Sequence, residues 1–272
     1  SQQVPMAHRY IGYIDKSGIP EPIQLLLRAA EFGDLEQVGR SLNEGIEVEA
    51  KDRRGSTALT WSAFKGHLNV VKFLVEDAKA NVETAEFNGT TALWWAAHGG
   101  HLSVVKYLFE VKASVECRDS MGRTPLIASS QFGRLEVMRY LIEKANAKVE
   151  ASDDEGRTPL ILASQWYHNI AAVRYLVEDA RADIHARDCR SQTAVEWARK
   201  NRKHDVVAYF KEHAAVVEKG FLRAISRDLD YVHMLHPTIT HWIRDEYDDV
   251  HDEDVEKDEK SAPVRSSSTS LL

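Results

Sequence analysis

The chain has 272 residues, 43% of them apolar, which is enough to bury a sizeable core either as one domain or as a row of small units. Its formal charge is −7, yet residues 244–272 alone carry ten Asp and Glu against four Arg and Lys, so the preceding body is close to neutral. No basic stripe is present to release counterions from a phosphate backbone, and no run approaches the roughly 18–20 apolar residues of a membrane span, so nucleic-acid binding and membrane spanning are not expected.

Residues 1–21 read as an N-terminal extension. Tyr10, Ile11, Tyr13 and Ile14 are followed by Gly18-Ile19-Pro20-Glu21-Pro22, a stretch too broken for a domain of its own and expected to lie against the first unit of the body. The opening Ser1-Gln2-Gln3-Val4-Pro5 lacks the basic-then-apolar order of a secretory leader.

From there the chain repeats itself. Gly55-Ser-Thr-Ala-Leu59, Gly89-Thr-Thr-Ala-Leu93, Gly122-Arg-Thr-Pro-Leu126 and Gly156-Arg-Thr-Pro-Leu160 start 34, 33 and 34 residues apart, and Ser191-Gln-Thr-Ala-Val195 follows after 35. Three copies continue into Gly66-His-Leu-Asn-Val-Val-Lys-Phe-Leu74, Gly100-His-Leu-Ser-Val-Val-Lys-Tyr-Leu108 and Gly133-Arg-Leu-Glu-Val-Met-Arg-Tyr-Leu141. A fixed period of this length marks a stacked array. Thr57, Thr91, Thr124, Thr158 and Thr193 are placed to cap a short first helix, with Pro125 and Pro159 where a missing N–H costs nothing. Ala63, Ala96 and Ala97, or Ser129 and Ser130 in the fourth unit, keep that helix thin. Leu68, Val70, Val71 and Leu74 form a helical stripe that only a neighbouring unit can cover.

These residues closely resemble the ankyrin repeat, over about residues 22–213. The resemblance implies an all-α solenoid, an array of helix-turn-helix units with short β-hairpin-like turns. The units fall at about 22–51, 52–85, 86–118, 119–152, 153–187 and 188–213, the first lacking its leading hairpin and the last unusually polar. Three departures carry expectations. Ala78-Lys-Ala80, Ala145-Asn-Ala147 and Ala180-Arg-Ala182 replace the usual Gly-Ala, so the second helices are expected to run slightly further. Tyr167-His-Asn169 replaces Gly-His in the fifth unit and predicts a bulge. The usual histidine after Thr-Pro-Leu is Thr60, Trp94, Ile127, Ile161 or Glu196, so the hydrogen bond of that ring is expected to be missing.

The resemblance also implies a partner protein or peptide on the concave face, formed by the hairpin tips and the exposed ends of the first helices. The register assigns to it Arg53, Arg54, Phe64, Lys65, Phe87, Asn88, His98, Met121, Gln131, Phe132, Asp154, Glu155, Gln165, Trp166 and Arg190. Phe64, Phe87, Met121, Phe132 and Trp166 make a candidate apolar stripe of the kind that anchors interfaces. Trp61, Trp94, Trp95 and Trp197 lie earlier in the helices and are assigned to the core. Arg53, Arg54 and Lys65 at the front, against Asp153, Asp154 and Glu155 at the back, would orient a charged ligand. The Asn88-Gly-Thr90 sequon is read as a turn.

Residues 214–243 are apolar enough for a C-terminal helical cap, with Val216, Val217, Phe221, Leu222, Ile225, Leu229, Val232 and Leu235 at amphipathic spacing. His233, His236 and His241 lack the ligand pattern of a metal site. Residues 244–272 read as an acidic, Ser-rich disordered tail, open to a basic partner, to folding back on the basic tips, or to a solubilising role alone. Ser270-Leu-Leu272 carries a weak likeness to a terminus captured by a PDZ domain. Cys117 and Cys189 belong to no C-x-x-C pair, which sets aside a thiolate zinc site and a disulfide framework and favours a reducing, intracellular setting, cytoplasmic with the nucleus left open. No phosphate loop, nucleotide-binding glycine motif, metalloprotease helix or nucleophile elbow is present, so neither catalysis nor a cofactor is expected. The expected role is that of a monomeric scaffold or adaptor. The alternatives are a fixed structural subunit of a larger assembly and a regulatory subunit of an enzyme.

Overall fold

Thr57 turns the chain from an extended hairpin into a helix, because its hydroxyl accepts the Thr60 amide that helix geometry would leave orphaned. Thr91, Thr124, Thr158 and Thr193 do the same for the amides of Trp94, Ile127, Ile161 and Glu196. Pro125 and Pro159 occupy the first helical positions.

The structure, a computed structural model, describes residues 19–166 and 169–225, with side chains to residue 214. Twelve helices follow one another among the described residues and no strand occurs there. The first helices of successive repeats are α1 (Glu21–Phe32), α3 (Ala58–Lys65), α5 (Ala92–Gly99), α7 (Pro125–Gln131), α9 (Pro159–Gln165) and α11 (Ala194–Lys200). The first five each pair with a second helix: α2 (Leu35–Asn43), α4 (Leu68–Glu76), α6 (Leu102–Glu110), α8 (Leu135–Glu143) and α10 (Ile170–Glu178), and α12 (His204–Ile225) follows α11 in the chain. First helices pack on first helices in chain order, α1 to α11, and second helices on second helices from α2 to α10. The chain divides into two units, Ser1–Val207, which holds the repeats, and Ala208–Leu272, whose described part is helical.

Small residues permit the close stacking. Ala63, Ala96, Ala97, Ser129 and Ser130 are fully buried, as are Val70, Val71 and Leu74 with their counterparts Val104, Val105 and Leu108. Ser129 and Ser130 hide their hydroxyls by donating to the Leu126 carbonyl one turn back. Trp61, Trp94, Trp95 and Trp197 are all buried.

A recurring glutamate joins the repeats from behind. Glu49, Glu83, Glu116 and Glu150 accept the amides of Asn81, Ser114, Lys148 and Asp183 in the next repeat, at 2.7–3.0 Å. On the second helices, Lys72, Lys106 and Arg139 lie over the rings of Tyr107, Tyr140 and Tyr175, one repeat on.

Three expectations need revision. The second helices do not run further where Gly-Ala is replaced: α4, α6, α8 and α10 have nine residues each. The extra residue goes into the turn, and Lys79, Asn146 and Arg181 adopt the left-handed conformation that glycine usually supplies, with φ of 59°, 54° and 58°. The ring lost after Thr-Pro-Leu is partly replaced, since Trp94 Nε1 donates to the Arg123 carbonyl of the next repeat and Thr60 and Glu196 complete capping boxes. Finally, α12 continues unbroken past residue 213 to Ile225.

The bulge expected at Tyr167-His168 lies outside the described residues, although the helix stop beside it does differ. Trp166 is extended there, where Gly33, Gly66 and Gly100 are left-handed in other repeats. The N-terminal extension before Ile19, the end of the proposed cap beyond Ile225, the three C-terminal histidines and the acidic tail also lie outside the described residues.

Candidate functional site

Each hairpin is built on one carboxylate. Oδ1 of Asp52, Asp119, Asp153 and Asp188 accepts two backbone amides, two and four residues later. The other oxygen takes one of two partners. In the second and sixth repeats it accepts an indole N–H nine residues on, Trp61 for Asp52 at 3.3 Å and Trp197 for Asp188 at 2.7 Å. In the fourth and fifth it accepts a guanidinium four residues on, Arg123 for Asp119 and Arg157 for Asp153.

The third repeat departs from this scheme. Glu86 stands in place of Asp, and its longer arm releases the backbone. Asn88 Oδ1 takes over the Thr90 amide, an Asx turn that accounts for the sequon by geometry. Glu86 instead accepts from Trp95 Nε1 at 2.9 Å and from the Thr90 and Ser56 hydroxyls. Burial pushes its carboxyl above the usual range, with nearby Asp52 adding to the effect.

The tips are tied to one another in sequence. Phe87 N donates to the Arg54 carbonyl, Ser120 N to Asn88, Asp154 N to Met121 and Cys189 N to Glu155, at 2.6–3.0 Å. This ladder leaves the tip side chains on one edge of the array. Gly89 is required in it: its φ is +81°, and an added Cβ would meet the Arg118 carbonyl at 2.8 Å.

The candidate apolar stripe is divided. Phe87 is 75% exposed, whereas Phe64, Met121, Phe132 and Trp166 are half-buried. Phe64 packs edge-on to Trp95 at 5.0 Å and to Trp61 at 6.3 Å. Trp166 packs on the cluster of Ile127, Ala151 and Leu162. Phe132 lies 4.2 Å from the ring of His98, which also stacks on Trp94 at 5.4 Å. His98 is therefore not an outward residue. Burial, then Arg134 and Arg123, lower its pKa to about 3, and its Nδ1 has no hydrogen-bond partner.

The front-to-back charge contrast is also smaller than the sequence suggests. Asp153 is buried under its own hairpin and Arg157, so it is no tip charge. Glu155 lies 3.5 Å from Arg157 and 3.7 Å from Arg190, and Lys65 is paired with Glu31 at 3.2 Å. Gln131 accepts from Arg123, while the side-chain oxygen of Gln165 is buried without a partner. Arg53, Arg54, Asp154 and Arg190 remain exposed.

The sequence reading omitted one residue of this surface. Phe32 is 76% exposed, and it stands in the register of Lys65, Phe132 and Trp166 because Gly33 aligns with Gly66. The alignment alone would have found it.

The sequence model described as ankyrin repeats, three copies, matches residues 26–119 and 111–188. The chain belongs to the ankyrin-repeat family. Ankyrin repeats are generally protein–protein interaction modules, and the family is typically non-enzymatic. The ankyrin repeat protein RF_p14 of Rickettsia felis is 38% identical over 48 residues, 18% of this chain and 76% of that protein. Acyl-CoA-binding domain-containing protein 2 of Arabidopsis thaliana is 43% identical over 47 residues, 17% of this chain and 13% of its own length. The mitochondrial liver-isoform glutaminase of Rattus norvegicus is 43% identical over 56 residues, 21% of this chain and 9% of its own. The chain thus spans only about a tenth of the length of these last two relatives. No helix among its described residues is long and apolar enough to cross a membrane.

Proposed function

We propose that this chain is a scaffold or adaptor that binds a partner protein or peptide on the concave face of the array, across the hairpin tips and the ends of the first helices. The observation that carries this reading is the pair Phe32 and Phe87. Both rings are about three-quarters exposed, at 76% and 75%, one at a first-helix end and one at a hairpin tip, whereas Phe64, Phe132 and Trp166 are half-buried and used in packing. Exposed aromatic anchors beside a polar rim of Arg53, Arg54, Asn88 and Asp154 suit an interface centre, where large rings contribute most of the affinity. The free thiols of Cys117 and Cys189 fit a reducing, intracellular setting. The neutral, mixed surface supports an adaptor over a fixed subunit, which would expose a larger apolar area.

The test is recovery of partners from lysate by the full chain and by a Phe32→Ala, Phe87→Ala variant. Both rings are exposed, so the variant keeps its melting temperature and loses its principal partner. Truncating Phe132 and Trp166 would be a poorer test, because it also removes packing. Unchanged recovery by the folded variant would refute this placement of the binding face.

A further inference from the structure

The bonds that join the hairpin tips all run in one direction, and the last acceptor is open. Each rung brings the N–H that follows one hairpin's carboxylate onto a carbonyl of the hairpin before it: Phe87 to Arg54, Ser120 to Asn88, Asp154 to Met121 and Cys189 to Glu155. The matching carbonyl of the sixth repeat is that of Arg190. This residue is exposed, and its carbonyl accepts no hydrogen bond among the described residues.

The charge around that carbonyl is one-sided. Residues 187–203 hold six Arg and Lys against two Asp and Glu, and both carboxylates are engaged within the repeat. Asp188 is buried and accepts two amides and the Trp197 indole, while Glu196 caps Thr193 and lies 3.6 Å from Arg187. Two of the cations converge on a single ring. The Arg190 guanidinium lies 5.8 Å and the Lys200 ammonium 4.6 Å from the centroid of Trp197, which is buried and so fixes the cations without offering a stacking surface of its own. Lys200 is exposed and has no ion pair among the described residues. Arg190 has Glu155 at 3.7 Å, a carboxylate that Arg157 shares at 3.5 Å. A terminal repeat needs a polar outer face, but nothing in that requirement selects a single sign of charge.

We propose that the rear of the hairpin row binds an acidic, extended segment of the partner, with a main-chain N–H on the Arg190 carbonyl and carboxylates on Arg190 and Lys200. The inference rests on the docking face argued above and names the chemistry of what meets its last repeat. The open carbonyl selects the class of partner, because a polypeptide carries an N–H at nearly every residue whereas phosphate groups supply acceptors only. Asp154 and Glu155 on the preceding tip repel the same segment and hold its acidic end over the sixth repeat.

The Trp197 indole N–H, bonded to Asp188, reports on the two cations over its ring. The experiment follows that signal by NMR while the full chain is titrated with a blocked peptide of alternating glycine and glutamate. One control peptide carries glutamine for glutamate, and another is N-methylated at each glycine amide. A saturable shift with the glutamate peptide is expected, about tenfold weaker with glutamine and about threefold weaker with the N-methylated form. Arg190→Gln combined with Lys200→Gln alters exposed side chains only, so the variant keeps its melting temperature and binds the glutamate peptide about tenfold less tightly. Equal binding of the glutamine peptide, full binding of the N-methylated one, or tighter binding of an oligothymidylate of matching charge would overturn the proposal. So would a shift that arises only in a chain whose carboxylates between residues 245 and 259 are changed to amides, since the surface would then belong to the chain's own acidic segment. Phe32 and Phe87 stand on other repeats, so the partner-recovery test and this one fail separately.

Discussion

Trp197 Nε1 donates to Asp188 Oδ2 at 2.7 Å, a bond that locks a hairpin to the helix that follows it. The same carboxylate accepts the amides of Arg190 and Gln192. Asp188→Ala therefore strands three donors, two of them backbone, and should cost about 3 kcal/mol of stability. Trp197→Phe removes one bond and some volume, for about 1–2 kcal/mol. Urea denaturation of both variants should rank Asp188→Ala as the more damaging, and the reverse order would mean that ring packing, not the carboxylate, holds the hairpin.

His98 should make the array acid-sensitive. Its folded pKa of about 3 lies below the 6.5 of an exposed histidine, so the unfolded chain takes up a proton that the folded chain refuses. The associated stability is complete above pH 6.5 and is lost progressively as the pH falls towards 3, a span equivalent to about 5 kcal/mol if fully realised. Replacing the ring with His98→Phe should flatten the pH dependence between 6.5 and about 4.5, above the range where most carboxylates titrate. Denaturation midpoints of the two proteins across that window give the comparison; parallel curves would show that His98 is solvated.

What the sequence made legible was whatever recurs within one repeat. The capping threonines, the proline at the helix start, the thin alanine and serine faces and the buried tryptophans all follow from local pattern. What escaped it depends on contacts one repeat apart. His98 looks outward on its own helix, and its burial comes from Phe64 one repeat before and Phe132 one repeat after. Asp153 looks like a tip charge until Arg157 closes over it. One such rule was present in the sequence and unread: hairpins with arginine four residues after the carboxylate have no tryptophan nine residues after it, so each anchor has one partner or the other.

The glutamates behind the array offer a test of nearest-neighbour coupling. Glu116 accepts the Lys148 amide of the following repeat at 3.0 Å, and no other bond joins these two turns among those described for the residue. Glu116→Ala should lower stability by about 1–1.5 kcal/mol, while Glu116→Gln, which retains an acceptor, should cost less than half of that. Hydrogen exchange at Lys148 should quicken in the alanine variant ahead of amides in the outer repeats. Uniform quickening along the chain would mean that the array opens as one cooperative unit rather than repeat by repeat.

The left-handed turns after the second helices leave room for improvement. Arg181 is exposed and adopts φ of 58°, a conformation that costs a branched or long side chain about 1 kcal/mol relative to glycine. Arg181→Gly should therefore raise stability by roughly 0.5–1 kcal/mol, after allowance for the extra entropy of glycine in the unfolded chain. Lys79 has the same backbone at φ of 59°, but its ammonium donates to the Glu76 carbonyl at 2.7 Å and closes the end of α4. Lys79→Gly removes that bond as it relieves the strain, so its effect should be close to zero. Thermal melts of the two variants separate the contributions, and a stabilisation of equal size in both would show that the lysine bond adds nothing.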